Sequence, residues 1–566
     1  MHSLSFGDYV VFFIYFIIVS GYGLWVYRHK HNKDTTSKGY FLAEGSLTWW
    51  AIGASLIASN ISAEQMVGMS GSGFKMGLAI STYEWMAAAT LVIVAIFFIP
   101  VYLKNKIFTM PQFLSQRYND KVAMIMAIFW LALYIVVNLM SILYLGAVAV
   151  HGISGINIHT CIWMLAIFSV IITLGGMKVI GYTDVIQVFV LILGGLMATY
   201  LALNLISEKA GTTGVLHGLV LLKQQASDHF DMIFQKDNAN YMDLPGLSVL
   251  IGGMWITNLN YWGCNQYITQ RALGADLKTA RGGILFAAFL KLLMPVIVVL
   301  PGIAAYALYQ KGMFHEEMMT SAGILDPNKA YPSILNLLPG GLKGLSFAAL
   351  TAAIVASLAG KANSIATIFT MDIYKKAIKP AATDKQMVSL GKISVVVAMV
   401  LGVILSEFIG EKLMGEGKSG FQYIQEYTGF VSPGIFAMFI LGFFWKKATS
   451  NAALFATVGG FIFSMLLKLA PKFMNLEFLS PYGFSKLALQ SDKVTQLYEI
   501  PFFDRMGFDF IICIVGMYVI SMIENASGNK THGLEVDPSM FKTTRGFTIG
   551  AIAICTILTV LYTVFW

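Results

Sequence analysis

The stretch Ala54–Gly73 reads ASLIASNISAEQMVGMSGSG and places Asn60, Ser62, Glu64 and Gln65 inside an otherwise apolar, helix-like segment. Polar side chains of this kind compete with the backbone for hydrogen bonds and favour a break in a helix. At membrane depth such groups are costly unless they line a cavity or contact other helices. The stretch therefore predicts an interrupted membrane helix.

A second stretch has the same character. Met254–Gln270 reads MWITNLNYWGCNQYITQ and clusters Asn258, Asn260, Asn265 and Gln266. Interrupted helices in matching positions of two inverted halves are the strongest sequence sign of a transport site. The alternative is that the polar groups only hold packed helices together. Because each stretch carries several polar groups rather than one, we favour transport.

Composition indicates a membrane location. The chain has 566 residues, of which 57% are apolar and 12% are charged, and its mean hydropathy is +0.70. Soluble domains are roughly half apolar and about a quarter charged. The sequence therefore predicts an all-α polytopic membrane protein and excludes soluble enzymes, disordered chains and disulfide scaffolds.

Apolar stretches long enough to cross a bilayer predict fourteen transmembrane helices. They begin near Phe6, Leu47, Leu78, Val122, Thr160, Tyr182, Pro245, Thr279, Pro339, Ser389, Phe421, Asn451, Phe508 and Gly546. The first lacks the basic region and cleavage site of a signal peptide, so we expect it to be retained. The two longest polar connections, Ser207–Leu244 and Lys468–Asp504, do not resemble independent domains.

The distribution of basic residues predicts the orientation. With the N-terminus outside, the cytoplasmic connections hold 22 of the 38 Lys and Arg residues, and the outer connections hold 14. Short cytoplasmic loops carry an excess of these residues. We therefore expect the N-terminus and, after fourteen spans, Trp566 to lie outside. The net charge of +8 follows from the same rule and does not indicate a nucleic-acid partner.

The four cysteines, Cys161, Cys264, Cys513 and Cys555, all fall in apolar segments and form no CxxC pair. We expect small buried residues rather than metal ligands or disulfides.

Glu84 and Lys291 are charged residues in the middle of predicted spans, with no opposite charge nearby in sequence. A charge at the bilayer centre must face a partner or water, and an interhelical ion pair is the alternative to a binding role. With Gln65, Asn258 and Gln425, the two residues form donors and acceptors suited to sugar hydroxyls, which both give and accept hydrogen bonds. A polyhydroxylated solute is therefore expected.

Aromatic and ion-binding groups lie close to these residues in sequence. Tyr261 and Trp262 offer rings that stack on a pyranose, with ordinary packing as the alternative. Sodium in membrane proteins is held by unwound carbonyls and hydroxyls. The break at Ala58–Ile61 offers carbonyls, and the ninth span offers the hydroxyl of Ser357. A lone serine in a helix usually bonds its own backbone, so that alternative stays open.

Seven runs of sequence resemble the solute:sodium symporter family, most closely its bacterial sodium/galactose branch, which is related to the animal sodium/glucose cotransporters. They are ASNISAEQMVGMSGSG (58–73), TYEWM (82–86), TDVIQVF (183–189), GMWITNLNYWGCNQYITQR (253–271), FAAFLKLL (286–293), ATIFTMDIYKK (366–376) and FQYIQEYTGFVSPG (421–434). The resemblance implies a single membrane transport domain, 1–566, with a LeuT-like core of two inverted five-helix repeats, 47–208 and 245–446. An extra helix at 6–28 precedes the core, and three peripheral helices at 451–566 follow it.

The resemblance also implies roles for individual residues. The sugar ligands are expected to be Gln65, Glu84, Asn258, Lys291 and Gln425. Tyr261 is expected to be the inner gate, stacked on the sugar and held by Asn60, and the outer gate is formed by Met69, Tyr83 and Phe421. Co-transported sodium is held by the carbonyls of Ala58, Ile61 and Ala353 and by the hydroxyl of Ser357. Asp184 and Arg271 line the exit route of the ion.

Three positions depart from the family pattern. Ala356 stands where the family often has a serine at the ion site, which removes one hydroxyl ligand. Ala87 replaces a serine that touches the sugar in the galactose transporter, and Asn260 replaces an aromatic residue beside the gate tyrosine. These departures leave the particular hexose open.

Lys361 lies four residues after Ser357 and therefore one turn along the same helix face, on its cytoplasmic side. One interpretation is a side chain that snorkels to the inner membrane surface. The other is a tethered cation on the ion exit route, which speeds sodium release or partly substitutes for sodium.

These observations predict a sodium-coupled symporter of a galactose- or glucose-like hexose, working by alternating access in a plasma membrane, the bacterial inner membrane by resemblance. Myo-inositol or another organic solute is the alternative substrate. An enzyme is not expected, since all nine histidines fall at span ends or in loops and no HExxH or GxSxG is present. A channel or a sensor is a further alternative, and the oligomeric state is not indicated.

Overall fold

The computed structural model describes residues 4–30, 40–41, 47–319, 323–410, 413, 420–489 and 495–566. These residues are mainly helical. The first half of the chain forms α1 (Phe6–Lys30), α2 (Trp49–Asn60), α3 (Ser70–Met76), α4 (Thr82–Ile93), α5 (Ile99–Lys104), α6 (Met110–Arg117), α7 (Asp120–Leu133), α8 (Met140–Ser154), α9 (Ile158–Thr173), α10 (Gly176–Lys209) and α11 (Val215–Gln225). The second half forms α12 (Leu247–Ile251), α13 (Gly253–Cys264), α14 (Gln266–Leu273), α15 (Leu277–Gln310), α16 (Ala330–Asn336), α17 (Leu342–Thr367), α18 (Asp384–Leu405), α19 (Gly420–Gly429), α20 (Ser432–Phe444), α21 (Ser450–Leu454), α22 (Gly460–Leu469), α23 (Phe502–Ala526) and α24 (Arg545–Val564).

Several of these helices continue through π-helical turns. The π segments are Glu64–Met69, Val94–Phe98, Tyr134–Leu139, Ile368–Ile378, Ser406–Gly410 and Phe455–Gly459, and short 3₁₀ segments lie at Gly77–Ser81, Ser227–His229, Pro327–Lys329, Ala470–Lys472, Glu477–Tyr482 and Pro538–Phe541. An antiparallel hairpin pairs β1 (Lys486–Leu489) with β2 (Gln496–Glu499). Residues 490–494 of the second long connection lie outside the described residues.

Ten helical stretches within the described ranges are long and apolar enough to cross a membrane. The other four predicted spans begin near Leu47, Thr160, Pro245 and Phe421, and they correspond to helices that are broken or short. For example, α9 and α20 are apolar but have only 16 and 13 residues. The chain is therefore a multi-pass helical membrane protein, and the count of fourteen spans stays a prediction.

Both predicted interruptions are present. Helix α2 ends at Asn60, and Ile61 is extended with φ −80° and ψ 110° before the chain turns into the π segment that starts at Glu64. Helix α13 ends at Cys264, and Asn265 is extended with φ −102° and ψ 125° before α14. An extended residue inside a membrane helix leaves backbone carbonyls without partners in their own helix. These carbonyls are available for other contacts.

The chain divides into two compact units, and the first comprises Met1–Ser81, Met126–Phe230 and Gln266–Tyr423. Its central helix is α17, in which every residue from Ser346 to Thr367 is buried. Many of these residues are alanine, glycine or serine, which allow neighbouring helices to approach closely. Accordingly α17 packs against α1, α2, α9 and α10, while α15 packs against α2 and α3.

The second unit comprises Thr82–Ile125, Asp231–Asn265 and Ile424–Trp566. In it, α13 packs against α4 and α20, and α20 packs against α23. The buried Arg117 at the end of α6 caps α20 and the turn after it. Its Nε and Nη2 donate to the carbonyls of Gly442 and Trp445, both at 2.8 Å, and its Nη1 donates to that of Ala448 at 3.1 Å. The guanidinium thereby satisfies carbonyls that a helix end leaves without partners.

Segments that were predicted to lie outside touch one another in the second unit. Tyr241, in the first long connection, donates its hydroxyl to the carbonyl of Gly483 in the second at 3.0 Å. The amide of Met232 donates to the carbonyl of Phe565, next to the C-terminal residue, at 2.8 Å. These contacts agree with the prediction that the two long connections and the C-terminus lie on the same side of the membrane. The assignment of that side to the outside stays a prediction.

One expectation about the cysteines is wrong. Cys161, Cys264 and Cys513 are buried and free, but Cys555 is exposed. It lies on α24, a helix with few buried residues. An apolar segment in a membrane protein can face lipid as well as protein, and the sequence alone does not distinguish the two.

Candidate functional site

The predicted sodium ligands all lie in the first unit, at the break of α2 and on α17. Ala58, Ile61, Ala353 and Ser357 are buried, with exposed fractions of 1% or less. The Ser357 hydroxyl donates to the carbonyl of Ser59 at 3.1 Å. This hydrogen bond therefore joins α17 to the broken end of α2. The alternative that the sequence left open, a bond of Ser357 to its own helix, is therefore not the bond that is observed.

A second hydroxyl at this place was not anticipated. Ser59 Oγ is buried and has no hydrogen-bond partner among the described residues. Buried polar groups are normally satisfied, so such a group usually awaits a ligand or water. Ala356 contributes no hydroxyl here, and Ser59 is a further oxygen donor beside the predicted ligands. In the sequence, Ser59 is indicated only by its position between two residues of the predicted break, Ala58 and Asn60.

Asp184 and Arg271 meet at Ser55, which lies one helical turn before Ser59 on α2. Ser55 joins them, because its hydroxyl donates to Asp184 Oδ2 at 2.5 Å and accepts from Arg271 Nε at 2.8 Å. Arg271 Nη2 is 3.9 Å from Asp184 Oδ2, and both side chains are buried, at 0% and 1% exposed. The cluster therefore ties α2, α10 and α14 together. The resemblance implied that both charged residues line the exit route of the ion, but nothing in the sequence indicated that they pair or that Ser55 joins them.

Close packing of this cluster depends on a glycine in α17. A Cβ atom at Gly360 would lie 2.5 Å from Arg271 Nη2 and 3.2 Å from Ser59 Oγ. Any side chain at position 360 would displace the guanidinium or the serine. The glycine thus allows α17 to approach the predicted ion site and the Arg271 cluster at once.

Lys361 does not snorkel. Its side chain is buried, with an exposed fraction of 3%, and its Nζ lies 5.0 Å from the centre of the Tyr267 ring on α14. A snorkelling lysine keeps its ammonium in water and buries only its stem. The first interpretation is therefore wrong, because α17 is covered on all sides where this residue lies.

Gln65, Lys291 and Asn60 also belong to the first unit. Lys291 is 1% exposed, and its ammonium donates to Asn60 Oδ1. The Gln65 side chain accepts from the Ser62 hydroxyl at 3.0 Å, just after the break. A lysine ammonium has three donor hydrogens, and the bond to Asn60 uses one of them.

The remaining predicted sugar residues belong to the second unit. Glu84 and Asn258 are buried, at 3% and 5% exposed, whereas Tyr261 and Gln425 are half-buried. Glu84 lies on α4 and Asn258 and Tyr261 lie on α13, two helices that pack together. Asn258 Nδ2 is buried without a hydrogen-bond partner in the described part of the chain. An unsatisfied amide donor of this kind fits a ligand-binding role.

Two neighbours of Tyr261, the predicted inner gate, have structural roles. Trp262 is 2% exposed and packs edge-on against Tyr261, with ring centres 5.1 Å apart. Asn260 Nδ2 donates to the hydroxyl of Ser432 at 3.2 Å, which joins α13 to α20. Asn60 accepts a hydrogen bond from Lys291, and the predicted contact of Asn60 with Tyr261 stays a prediction.

The predicted outer gate residues are buried. Met69 and Phe421 belong to the first unit and are at most 1% exposed. A Cβ atom at Gly68 would lie 3.0 Å from Phe421, so the π segment after the break passes directly against this ring. Tyr83, in the second unit, is 6% exposed and packs against Phe503 with ring centres 5.6 Å apart.

Comparison with known proteins assigns the chain to a class. A model of the sodium:solute symporter family matches residues 40–460. The chain is 46% identical to a sodium/glucose cotransporter of Vibrio parahaemolyticus over 100% of this chain and 99% of that protein. It is 31% identical to the sodium/myo-inositol cotransporter 2 of Homo sapiens over 81% of this chain and 69% of that protein.

The fold is similar to that of a solved Na⁺-coupled sialic acid symporter in a substrate-bound, outward-open state. The TM-score is 0.74 at 20% sequence identity, with 94% of this chain and 100% of that chain covered. Because the family model matches residues 40–460 and the relative from Vibrio parahaemolyticus is 46% identical over the whole chain, the chain belongs to the sodium:solute symporter family. Sodium is its co-transported ion, and its fold is LeuT-like.

Proposed function

We propose that the chain is a symporter that couples sodium entry to the uptake of a galactose- or glucose-like hexose by alternating access. The observation that carries the proposal is the hydrogen bond from Ser357 to the carbonyl of Ser59 at the break of α2. It joins a hydroxyl and the free carbonyl end of a broken helix, which are the groups that bind sodium in such transporters. The name of the relative from Vibrio parahaemolyticus supports a hexose.

In this proposal sodium is held by the carbonyls of Ala58, Ile61 and Ala353 together with the Ser357 hydroxyl. The ion then replaces the direct contact between Ser357 and α2 and stabilises one arrangement of the broken helix against α17. Sodium raises the affinity for sugar to the extent that the two arrangements differ in sugar binding. By linkage, sugar must raise the affinity for sodium by the same factor.

The sugar ligands in this proposal are Gln65, Glu84, Asn258, Lys291 and Gln425, with Tyr261 stacked on the ring. The buried ammonium of Lys291 at the end of α2 and the free Nδ2 of Asn258 support donor roles toward sugar hydroxyls. Gln65, Gln425 and Glu84 add acceptors. Met69, Tyr83 and Phe421 close the outer side, and Asp184 and Arg271 lie on the route by which sodium leaves.

The remaining elements of the proposal concern location and organisation. We place the protein in the bacterial inner membrane, with the N-terminus and the C-terminus outside. The chain is treated as one transport domain, in which 47–208 and 245–446 are inverted repeats that follow the helix at 6–28. The helices at 451–566 are peripheral. The contacts among Tyr241, Gly483, Met232 and Phe565 support a shared outer side for the two long connections and the C-terminus.

The proposal is tested by uptake of radiolabelled galactose into proteoliposomes with an inward sodium gradient. The control is an equal potassium gradient, and glucose, fucose and myo-inositol are added unlabelled as competitors. Accumulation above the external concentration only with sodium supports symport. Saturable uptake that ignores sodium contradicts coupling. Absence of galactose uptake together with sodium-dependent uptake of radiolabelled myo-inositol would move the substrate to the polyol alternative.

Removal of the Ser357 hydroxyl should weaken the use of sodium. For Ser357→Ala we expect the half-saturating sodium concentration of uptake to rise about tenfold, or about 1.4 kcal/mol. The physical reason is the loss of an oxygen that contacts a charged ion. The measurement is galactose uptake over a range of sodium concentrations.

Two further variants make this result specific. Thr351→Val is the matched control on α17, since the Thr351 hydroxyl bonds the carbonyl of Phe347 in its own helix at 2.9 Å. It should leave the sodium dependence unchanged. Ala356→Ser restores the hydroxyl that the family often has, and should lower the half-saturating concentration. An unaltered sodium dependence in Ser357→Ala would remove this residue from the ion site.

A further inference from the structure

Lys361 is a buried cation that the transport cycle described above does not require. It lies on α17 in the first unit, and only 3% of its side chain is exposed. Burial of an ammonium group is strongly unfavourable unless other groups stabilise its charge. A methionine or leucine would fill much of the same space without this cost. The presence of a charge therefore requires an explanation from its surroundings.

Two groups stabilise the ammonium, and both follow the breaks of the interrupted helices. The ring of Tyr267 on α14 lies 5.0 Å from Nζ, a distance at which the ring face attracts a cation. Glu64, in the π segment after the break of α2, contributes a favourable charge interaction with Lys361. Ser141 holds this carboxylate in place by donating to Glu64 Oε1 at 2.6 Å.

The position of Lys361 relates it to the proposed ion site. Residues four apart on a helix share a face, with Cβ atoms about 5–6 Å apart, so Lys361 neighbours Ser357. The adjacent residue, Gly360, lies against Ser59 Oγ and the Arg271 guanidinium. Two like charges this close repel each other appreciably inside a protein, where the effective dielectric constant is far below that of water. A sodium ion at Ser357 therefore experiences the Lys361 charge.

We infer that Lys361 is a built-in cation that weakens sodium binding at the Ser59–Ser357 site and so sets the sodium concentration at which the transporter works. The inference rests on the proposed sodium site. The ammonium promotes release of sodium after each transport step, since it repels the ion without leaving the protein. Tyr267 and Glu64 keep it in place while sodium is absent.

Sodium dependence of Lys361→Met tests this inference directly. We expect the half-saturating sodium concentration, from galactose uptake and from binding of ²²Na⁺ to the purified protein, to fall about tenfold, equivalent to about 1.4 kcal/mol. Lys361→Arg retains the charge and should stay close to the wild type. Lys343→Met is the matched control, because it removes a buried lysine from the same helix about 27 Å away.

Each outcome distinguishes this inference from the proposed symport. If uptake by the wild type depends on sodium, and folded Lys361→Met binds sodium with the same or weaker affinity, only the role of Lys361 is overturned. Sodium dependence that appears in Lys361→Met but not in the wild type supports the role of Lys361 and overturns sodium coupling of the native chain. Loss of sodium effects in both overturns both. If Lys361→Met does not fold, Lys361→Gln, which keeps a polar group, is measured in its place with the same expectations.

Discussion

Arg271→Met should lower the stability of the protein more than any other single substitution considered, by about 3–5 kcal/mol. The guanidinium is fully buried beside Asp184, which is itself 1% exposed. Without the arginine, the carboxylate of Asp184 keeps the Ser55 hydroxyl as its one hydrogen-bond partner within the described part of the chain. An uncompensated charge in the protein interior accounts for most of the loss. The measurement is the thermal unfolding temperature in detergent, read from tryptophan fluorescence.

A double variant separates the ion pair from simple loss of packing. Arg271→Met with Asp184→Asn removes both charges, and it should be more stable than Arg271→Met alone. The two effects are then not additive, which is the sign of a direct interaction. If the double variant is as unstable as Arg271→Met, or if the losses of stability of the two single variants add up in it, Arg271 stabilises α14 through its packing and its bond to the carbonyl of Tyr267 instead.

Lys291→Met should reduce galactose uptake about 100-fold in kcat/KM, because hydrogen bonds from charged groups contribute about 1.5–3 kcal/mol. Lys291 is 1% exposed, and its ammonium donates to Asn60 Oδ1 at the end of α2. Methionine keeps the length of the side chain but removes all three donors. The loss therefore includes both the bond to the sugar and the support of Asn60. Uptake into proteoliposomes under a fixed sodium gradient gives the ratio.

Lys343→Met serves as the control for this prediction as well, since it removes a buried lysine that has no proposed role in sugar binding. It should transport galactose like the wild type. Sodium binding to Lys291→Met should persist, which shows that the variant is folded. Normal uptake by Lys291→Met would mean that the ammonium only joins α15 to α2.

The two interruptions are the part of the fold that the sequence predicted best. Polar clusters around Asn60 and Asn265 stand out because an apolar membrane has no water to satisfy them. Helix breaks are local events, set by a few neighbouring residues. For the same reason the sequence identified Ser357, Lys291 and Asn258 as polar residues in costly positions, each of which is buried.

The partners of these residues depended on tertiary structure. Ser55 and Arg271 are 216 residues apart, and Ser357 and Ser59 are 298 apart. No periodicity relates such positions, since the register of one helix against another is decided by packing of the whole unit. Asn260 illustrates the point, because its bond to Ser432 assigns a structural role to a residue that in the sequence was only a departure from the family pattern.

Sequence alone thus determined the membrane class, the broken helices and the set of polar residues, because each follows from the cost of polar groups in an apolar medium. Only the tertiary structure decided what those residues contact. Lys361 shows the difference most clearly. Its sequence position suits a snorkelling side chain as well as a buried one. Burial over Tyr267 follows from the close packing of α17, whose small residues allow other helices to cover it on every side.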